Sequence, residues 1–214
     1  MLFRSVSQSR YTIVMFVTAS TLLALAPGPD ILFVLTQSMA KGSRSGIVIA
    51  LGLCSGLIFH TTAVALGVAV IFQTSAEAFT ILKFVGAAYL LYLAFMAFKD
   101  ASKSKLESDK TPISLKALYR RGIFMNITNP KVSIFFLAFL PQFTNPEIGN
   151  VTGQIFLLGA LFMLSAFTVF TLVSLLAGRV GAWFSKTQNG EKILNRVAGT
   201  VFAALAIKLA LASR

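Results

Sequence analysis

The sequence predicts an all-α membrane protein: six transmembrane helices laid out as two inverted three-helix repeats, with the first and fourth helices broken at proline motifs. Three observations carry that prediction. The composition is 56% hydrophobic and 12% charged, with mean hydropathy +0.80, whereas an ordinary soluble domain carries about 25% charged residues. The apolar residues gather into runs near the length of about 20 residues that crosses about 30 Å of hydrocarbon. Proline, glycine and charge interrupt the first and fourth runs, in LALAPGPDILFV (23–34) and ITNPKVSIFF (127–136).

The runs fall near 11–40, 46–72, 78–98, 117–140, 151–177 and 193–212. The first imitates a secretory signal, with Arg4, Arg10, an apolar stretch from Ile13 and small residues at Ala24 and Ala26. Pro27 would follow the cut, proline removes the scissile amide hydrogen, and the apolar pattern resumes at once, so the span is read as uncleaved. The second carries the single histidine, His60, and a GxxxG pattern at Gly52 and Gly56. That pattern serves close packing within one chain or, alternatively, the seam of a homodimer. Cys54, the single cysteine, reads as a small buried hydrophobe and supports neither a disulfide framework nor a metal cluster. Lys83 and Lys208, in the third and sixth runs, lie near enough to span ends to snorkel. If the sixth run is only an interfacial helix, the count is five. All of 1–214 forms one domain, with repeat 1 over 11–98, a solvated cytoplasmic loop over 99–116 and repeat 2 over 117–212.

Charge follows the connectors. KGSRSG (41–46) is basic, QTSAE (73–77) is not, and 99–121 holds seven Lys and Arg. The 141–150 connector has no basic residue, and 178–192 holds Arg179, Lys186 and Lys192. The positive-inside rule makes the three basic connectors cytoplasmic and leaves both termini outside, although Arg4 and Arg10 pull weakly the other way. The net charge of +12 is therefore topology. A nucleic-acid partner is excluded, because such a binder gathers its basic residues on one solvated face.

Two motif pairs relate the halves. PDILFVL (29–35) and PKVSIFF (130–136) each run proline, charge, apolar helix; KFVGAAYLLYLA (83–94) and RVAGTVFAALAI (196–207) share a basic residue, a glycine three on and an aromatic three later. They fall in corresponding spans. Halves of three spans each must lie in opposite orientation, which is the inverted-repeat plan of many secondary transporters.

A proline inside a helix costs about 3 kcal/mol and a glycine up to about 1, and hydrocarbon offers no water to repair the backbone. Pro27, Pro29 and Pro130 therefore mark helix breaks that face protein or a polar cavity. Asp30 adds about 2.5–3.5 kcal/mol near a span centre, and Lys131 has the same problem. The two are read as mutual partners or as opposite poles of one site, with a purely structural ion pair as the alternative. Pro29 and Pro130 suit the first position of a helix and Asn129 its N-cap, so helix N-termini lie at depth. A zwitterionic amino acid fits there: its ammonium on Asp30, its carboxylate on Lys131 and a helix N-terminus, with Gly28, Asn126, Thr128 and Asn129 nearby. His60 is the candidate proton relay. No phosphate-binding glycine loop, metal-ligand cluster or cofactor motif appears, which leaves ion gradients as the energy source.

PGPDILFV (27–34), KGSRSGIVIALG (41–52), LKFVGAAYLLYLA (82–94) and above all RGIFMNITNPKVSIFFLAFLPQF (121–143) make the chain resemble the LysE-type amino-acid exporter family, in its homoserine/threonine-resistance branch. The likeness covers nearly the whole chain. It implies export of small, neutral amino acids such as threonine, homoserine or leucine across the bacterial inner membrane, coupled to protons. An enzyme is not expected, since thiol-transferring relatives need paired cysteines; an exporter of another small solute or a metal ion on the same scaffold is the rival reading.

Overall fold

The computed structural model describes residues 2–26, 28–74 and 114–177, with scattered positions among 80–95 and 179–207. Among the described residues the chain is all helix and turn. The helices are α1 (Leu2–Leu25), α2 (Pro29–Lys41), α3 (Ser43–Thr74), α4 (Leu115–Ile127), α5 (Pro130–Ile134) and α6 (Val151–Leu175). Ser43–Gly67 and Val151–Leu175, 25 residues each, are long and apolar enough to cross a membrane. Tyr11–Leu25 with Pro29–Lys41, and Leu115–Ile127 with Pro130–Phe143, pass the same test as pairs bent by 58° and 50°. Pro27, most of the third and sixth expected spans with Lys83 and Lys208, and loop residues 99–113 lie outside the described residues.

Local chemistry fixes the ends. α2 starts at Pro29, where the missing N–H costs nothing because a first turn leaves it unpaired. It ends at Gly42, whose φ of 85° lies in the left-handed region that glycine tolerates, and α3 follows at once. Ser114 caps α4, its hydroxyl accepting from Ala117 N at 3.3 Å. Asn129 caps α5 by accepting from Lys131 N at 3.0 Å. Beyond α5 the helix widens to a π-turn over Phe135–Phe139, where Leu140 N bonds Phe135 O, and then tightens to a 3-10 turn over Leu140–Phe143. Pro141 has no N–H and crowds the carbonyl one turn back, and the widened turn relieves that conflict.

α3 packs along both α4 and α6, α1 lies against α6, and α2 against α3. The α3–α4 contact uses the GxxxG glycines. A Cβ on Gly122 would sit 2.7 Å from Ile49 O and 3.2 Å from Gly52 Cα, and one on Gly56 would sit 2.7 Å from Asn126 Cβ. The motif is thus spent inside the chain, and the homodimer seam considered for it is occupied by α4. Cys54 is half-buried and its thiol donates to Met163 O at 3.7 Å, tying α3 to α6. Outward, Leu51, Ile58, Phe59 and Leu66 of α3 and Phe156, Leu157, Leu164 and Leu172 of α6 are exposed, an apolar surface suited to lipid.

A chain of rings crosses the interior. Phe16 meets Phe143 at 5.1 Å between centroids, Phe143 meets Phe139 at 4.8 Å, and Phe139 meets Phe135 at 4.7 Å. Phe162 then contacts Phe135 at 5.4 Å and Phe136 at 5.0 Å. These spacings are those of favourable offset and edge contacts.

Gly122→Ala places a methyl against backbone, which cannot give, and overpacking of this kind costs about 1–3 kcal/mol. Gly67→Ala meets nothing within 4 Å. Scanning fluorimetry in detergent should show Gly122→Ala melting lower by about 2–4 °C per kcal/mol lost and Gly67→Ala unshifted or higher. Equal shifts would contradict the packing role of Gly122.

Candidate functional site

Lys131 is the organising side chain. The carbonyl of Leu23 would ordinarily accept from the residue four on, but that residue is Pro27 and has no N–H. The carbonyl of Ala26 lies beyond the helix end. Lys131 Nζ donates to both, at 3.4 Å to Leu23 O and 3.3 Å to Ala26 O, and is itself buried. A cation at the C-terminal end of α1 is also favoured by the helix dipole. Gly28 makes room for it. Its φ of 179° is open to any residue, but a Cβ there would lie 2.9 Å from Lys131 Nζ. A side chain at 28 would meet the lysine's end rather than strain the backbone, so it would push on the ammonium itself.

Asp30 sits in the first turn of α2, at the positive end of that helix, and is 3% exposed. It comes no closer than the 4.0 Å limit of an ion pair to Lys131. The charged or ionisable groups near it are Lys131 and His60, the Asn129 side chain is placed to hydrogen-bond its carboxylate, and its Oδ1 has no close partner among the described residues. The direct pair offered as the alternative reading of these two charges is therefore absent from this conformation: Lys131 is bound to backbone, and Asp30 stands apart from it.

Asn126 and Asn129 complete the polar side. Both are buried, and Asn126 Oδ1 and Asn129 Nδ2 have no close partner among the described residues. Asp30, Asn126 and Lys131 line one cavity of about 20 Å³, enough for one water, which needs about 10–15 Å³. Its other walls are apolar: Leu23 and Ala24 of α1, Leu57 of α3, Val132 of α5, and Phe162, Ala166 and Phe170 of α6. Each of α1 to α6 contributes.

The remaining sequence candidates divide. Asn129 and Gly28 adjoin the site without lining the cavity, and Pro29 and Pro130 open the two helices that carry Asp30 and Lys131. His60 is buried one layer away, its Nε2 3.1 Å from Asn126 O and its ring beside Phe59 and Phe136. A carbonyl only accepts, so Nε2 carries the hydrogen and Nδ1 is the nitrogen left to take a proton. Thr128 is not part of the site; it is exposed and its hydroxyl donates to Phe124 O at 2.8 Å, as a helix-terminal Thr readily does. Sequence reasoning missed the apolar wall. Its one signal is the four-residue step of Phe162, Ala166 and Phe170 along one helix face, which does not say what that face meets. Among the described residues no group of three or more His, Cys, Asp or Glu could hold a metal.

A homoserine/homoserine lactone efflux protein of Salmonella typhimurium is 34% identical over 195 residues, covering 91% of this chain and 94% of the relative. A leucine efflux protein of Salmonella choleraesuis is 27% identical over 199 residues, covering 91% and 92%. An uncharacterized membrane protein of Bacillus subtilis, YrhP, is 26% identical over 210 residues, covering 94% and 99%. No solved structure matches. Residues 21–213 match the family described as LysE type translocator, and the chain belongs to that family of transporters.

Proposed function

We propose that this protein exports small neutral amino acids from the bacterial cytoplasm across the inner membrane, each in exchange for an inward proton. The observation that carries the reading is the two-sided cavity. Its polar side offers two opposite charges and the amide oxygen of Asn126. A substrate ammonium takes Asp30 Oδ1 and Asn126 Oδ1, and its carboxylate takes Lys131 Nζ, with Asn129 and Gly28 adjoining the lysine behind the lining. A third charge, on the substrate side chain, would face Leu57, Phe162, Ala166 and Phe170 with no counter-ion, and burying it there is costly. Homoserine and leucine, for which two relatives are named, are neutral amino acids.

In this reading each bent pair is one span, and six spans form two inverted repeats, over 11–98 and 117–212, joined by the 99–116 loop. The basic connectors lie in the cytoplasm and the termini outside. His60 and Asp30 are the groups that take the proton. A charge moving down the membrane field gains about 2.3 kcal/mol per 100 mV, which supports an export ratio of about fiftyfold for a neutral solute.

Cells overproducing the protein should tolerate toxic levels of threonine, homoserine, leucine or their analogues, and a protonophore should abolish the efflux. Efflux that survives collapse of the gradient removes proton coupling; unchanged tolerance to every amino acid, with altered tolerance to a metal, favours the rival exporter.

Topology has its own test. Single cysteines at Asn145, Ser43 and Lys186 in a Cys54→Ala background should react with an impermeant maleimide in intact cells only at 145. Labelling at 43 or 186 inverts the orientation.

The roles of Asp30 and Lys131 are separable from a structural pairing by exchanging them. Asp30→Asn and Lys131→Met should each cut transport by about tenfold or more at retained expression, the scale of one lost charged hydrogen bond. Asp30→Lys with Lys131→Asp should not restore it, because the carboxylate would then face the α1 carbonyls and the ammonium the positive end of α2. Recovery to about half of wild type or better, where only about a factor of two or 0.4 kcal/mol is lost, would show a structural pair.

A further inference from the structure

We infer that Ala166 sets the length of substrate side chain this protein accepts, and that Phe162, one turn away, refuses aromatic side chains. The inference rests on the export reading above and deepens it to a class: aliphatic side chains of a few carbons. Phe162, Ala166 and Phe170 follow one another at four-residue steps on one face of α6, all buried and all lining the cavity. Each ring lies about one 5.4 Å turn from Ala166, so the lone methyl makes a notch between two phenylalanines.

The charged head of the substrate decides which apolar wall its side chain meets. Asp30, Asn126 and Lys131 come from α2, α4 and α5. The α1 wall, with the second small residue Ala24, borders the Leu23 and Ala26 carbonyls that hold the Lys131 ammonium. That side belongs to the carboxylate end. The side chain is left with α6 and Leu57.

The two rings are not equivalent. Phe162 is held by Phe135 at 5.4 Å and Phe136 at 5.0 Å, and cannot turn aside without breaking those contacts. A cavity of about 20 Å³ must widen to take an amino acid, and Phe162 is the wall least able to yield. The notch at Ala166 is where added volume is felt directly.

The test is efflux of alanine, threonine, leucine and phenylalanine from preloaded proteoliposomes bearing the purified full chain, under an imposed proton gradient. One methylene is worth about 10- to 200-fold in discrimination. Ala166→Leu should therefore lower the leucine-to-alanine efflux ratio by about tenfold or more, and Ala166→Gly should raise it. Phe162→Leu should bring phenylalanine efflux above background. If Ala166→Leu fails to assemble, Ala166→Gly decides alone, since it removes only a methyl. A wild-type chain that exports leucine or threonine while neither Ala166 variant moves the ratio overturns the size assignment and leaves the export reading standing. A wild-type chain that exports none of the four overturns both.

Discussion

Two backbone carbonyls with no helical partner, at Leu23 and Ala26, and the one ammonium that reaches them, Lys131 Nζ, hold the rest of the structure in place. In hydrocarbon an unpaired carbonyl has no water to turn to, and Lys131, buried beside the bend between α1 and α2, supplies the missing donor. That contact joins the bent α1–α2 pair to the bent α4–α5 pair. Gly28 leaves it undisturbed, because a Cβ there would press on the ammonium. It occupies Lys131 on one side, and on the other Asp30 has no direct ionic partner among the described residues.

A cavity built this way keeps polar atoms available to whatever enters it. Asp30 Oδ1, Asn126 Oδ1 and Asn129 Nδ2 have no close hydrogen-bond partner among the described protein groups, and the space beside them has room for a water. The surrounding core holds them in place. Phe135, Phe136, Phe139, Leu53, Leu57 and Leu118 are almost fully buried in the core, and α3 is packed at backbone distance against α4 through Gly52 and Gly122. Rigid packing next to unpaired polar groups is what differential binding needs: a ligand that supplies the missing partners gains more than it would from flexible walls that had already satisfied themselves.

Much of this could be read from the chain. The breaks at 26–28 and 128–129, the helix starts at Pro29 and Pro130, and the cap at Asn129 follow from local backbone chemistry. Asp30, Lys131 and Asn126 stood out because polar groups in apolar runs are costly, and they do share one cavity. The partner of Lys131 was not legible in the same way. Charge suggests Asp30, whereas the lysine binds the carbonyls that Pro27 leaves unpaired, a consequence visible only when three helices are placed together. Thr128 looked equivalent to Asn126 because both precede the second break, but two residues along a helix turn the side chain by about 200°, to the opposite face. The α6 wall was hidden for a related reason: an almost uniformly apolar helix has no pattern that separates the face toward the cavity from the face toward lipid.

The ring chain from Phe162 through Phe135 and Phe139 to Phe143 and Phe16 has a consequence for leakage. Protons move through proteins along hydrogen-bonded relays of water and polar side chains, and five phenylalanines in contact offer neither donor nor acceptor. Among the described residues this run of rings joins the cavity wall at Phe162 to Phe143 in the 141–150 segment. The stretch of aromatic carbon from Phe162 to Phe16 therefore gives a proton no stepping stone along its length. The continuity depends on contact: any movement that parts Phe143 from Phe16 and Phe139 interrupts it.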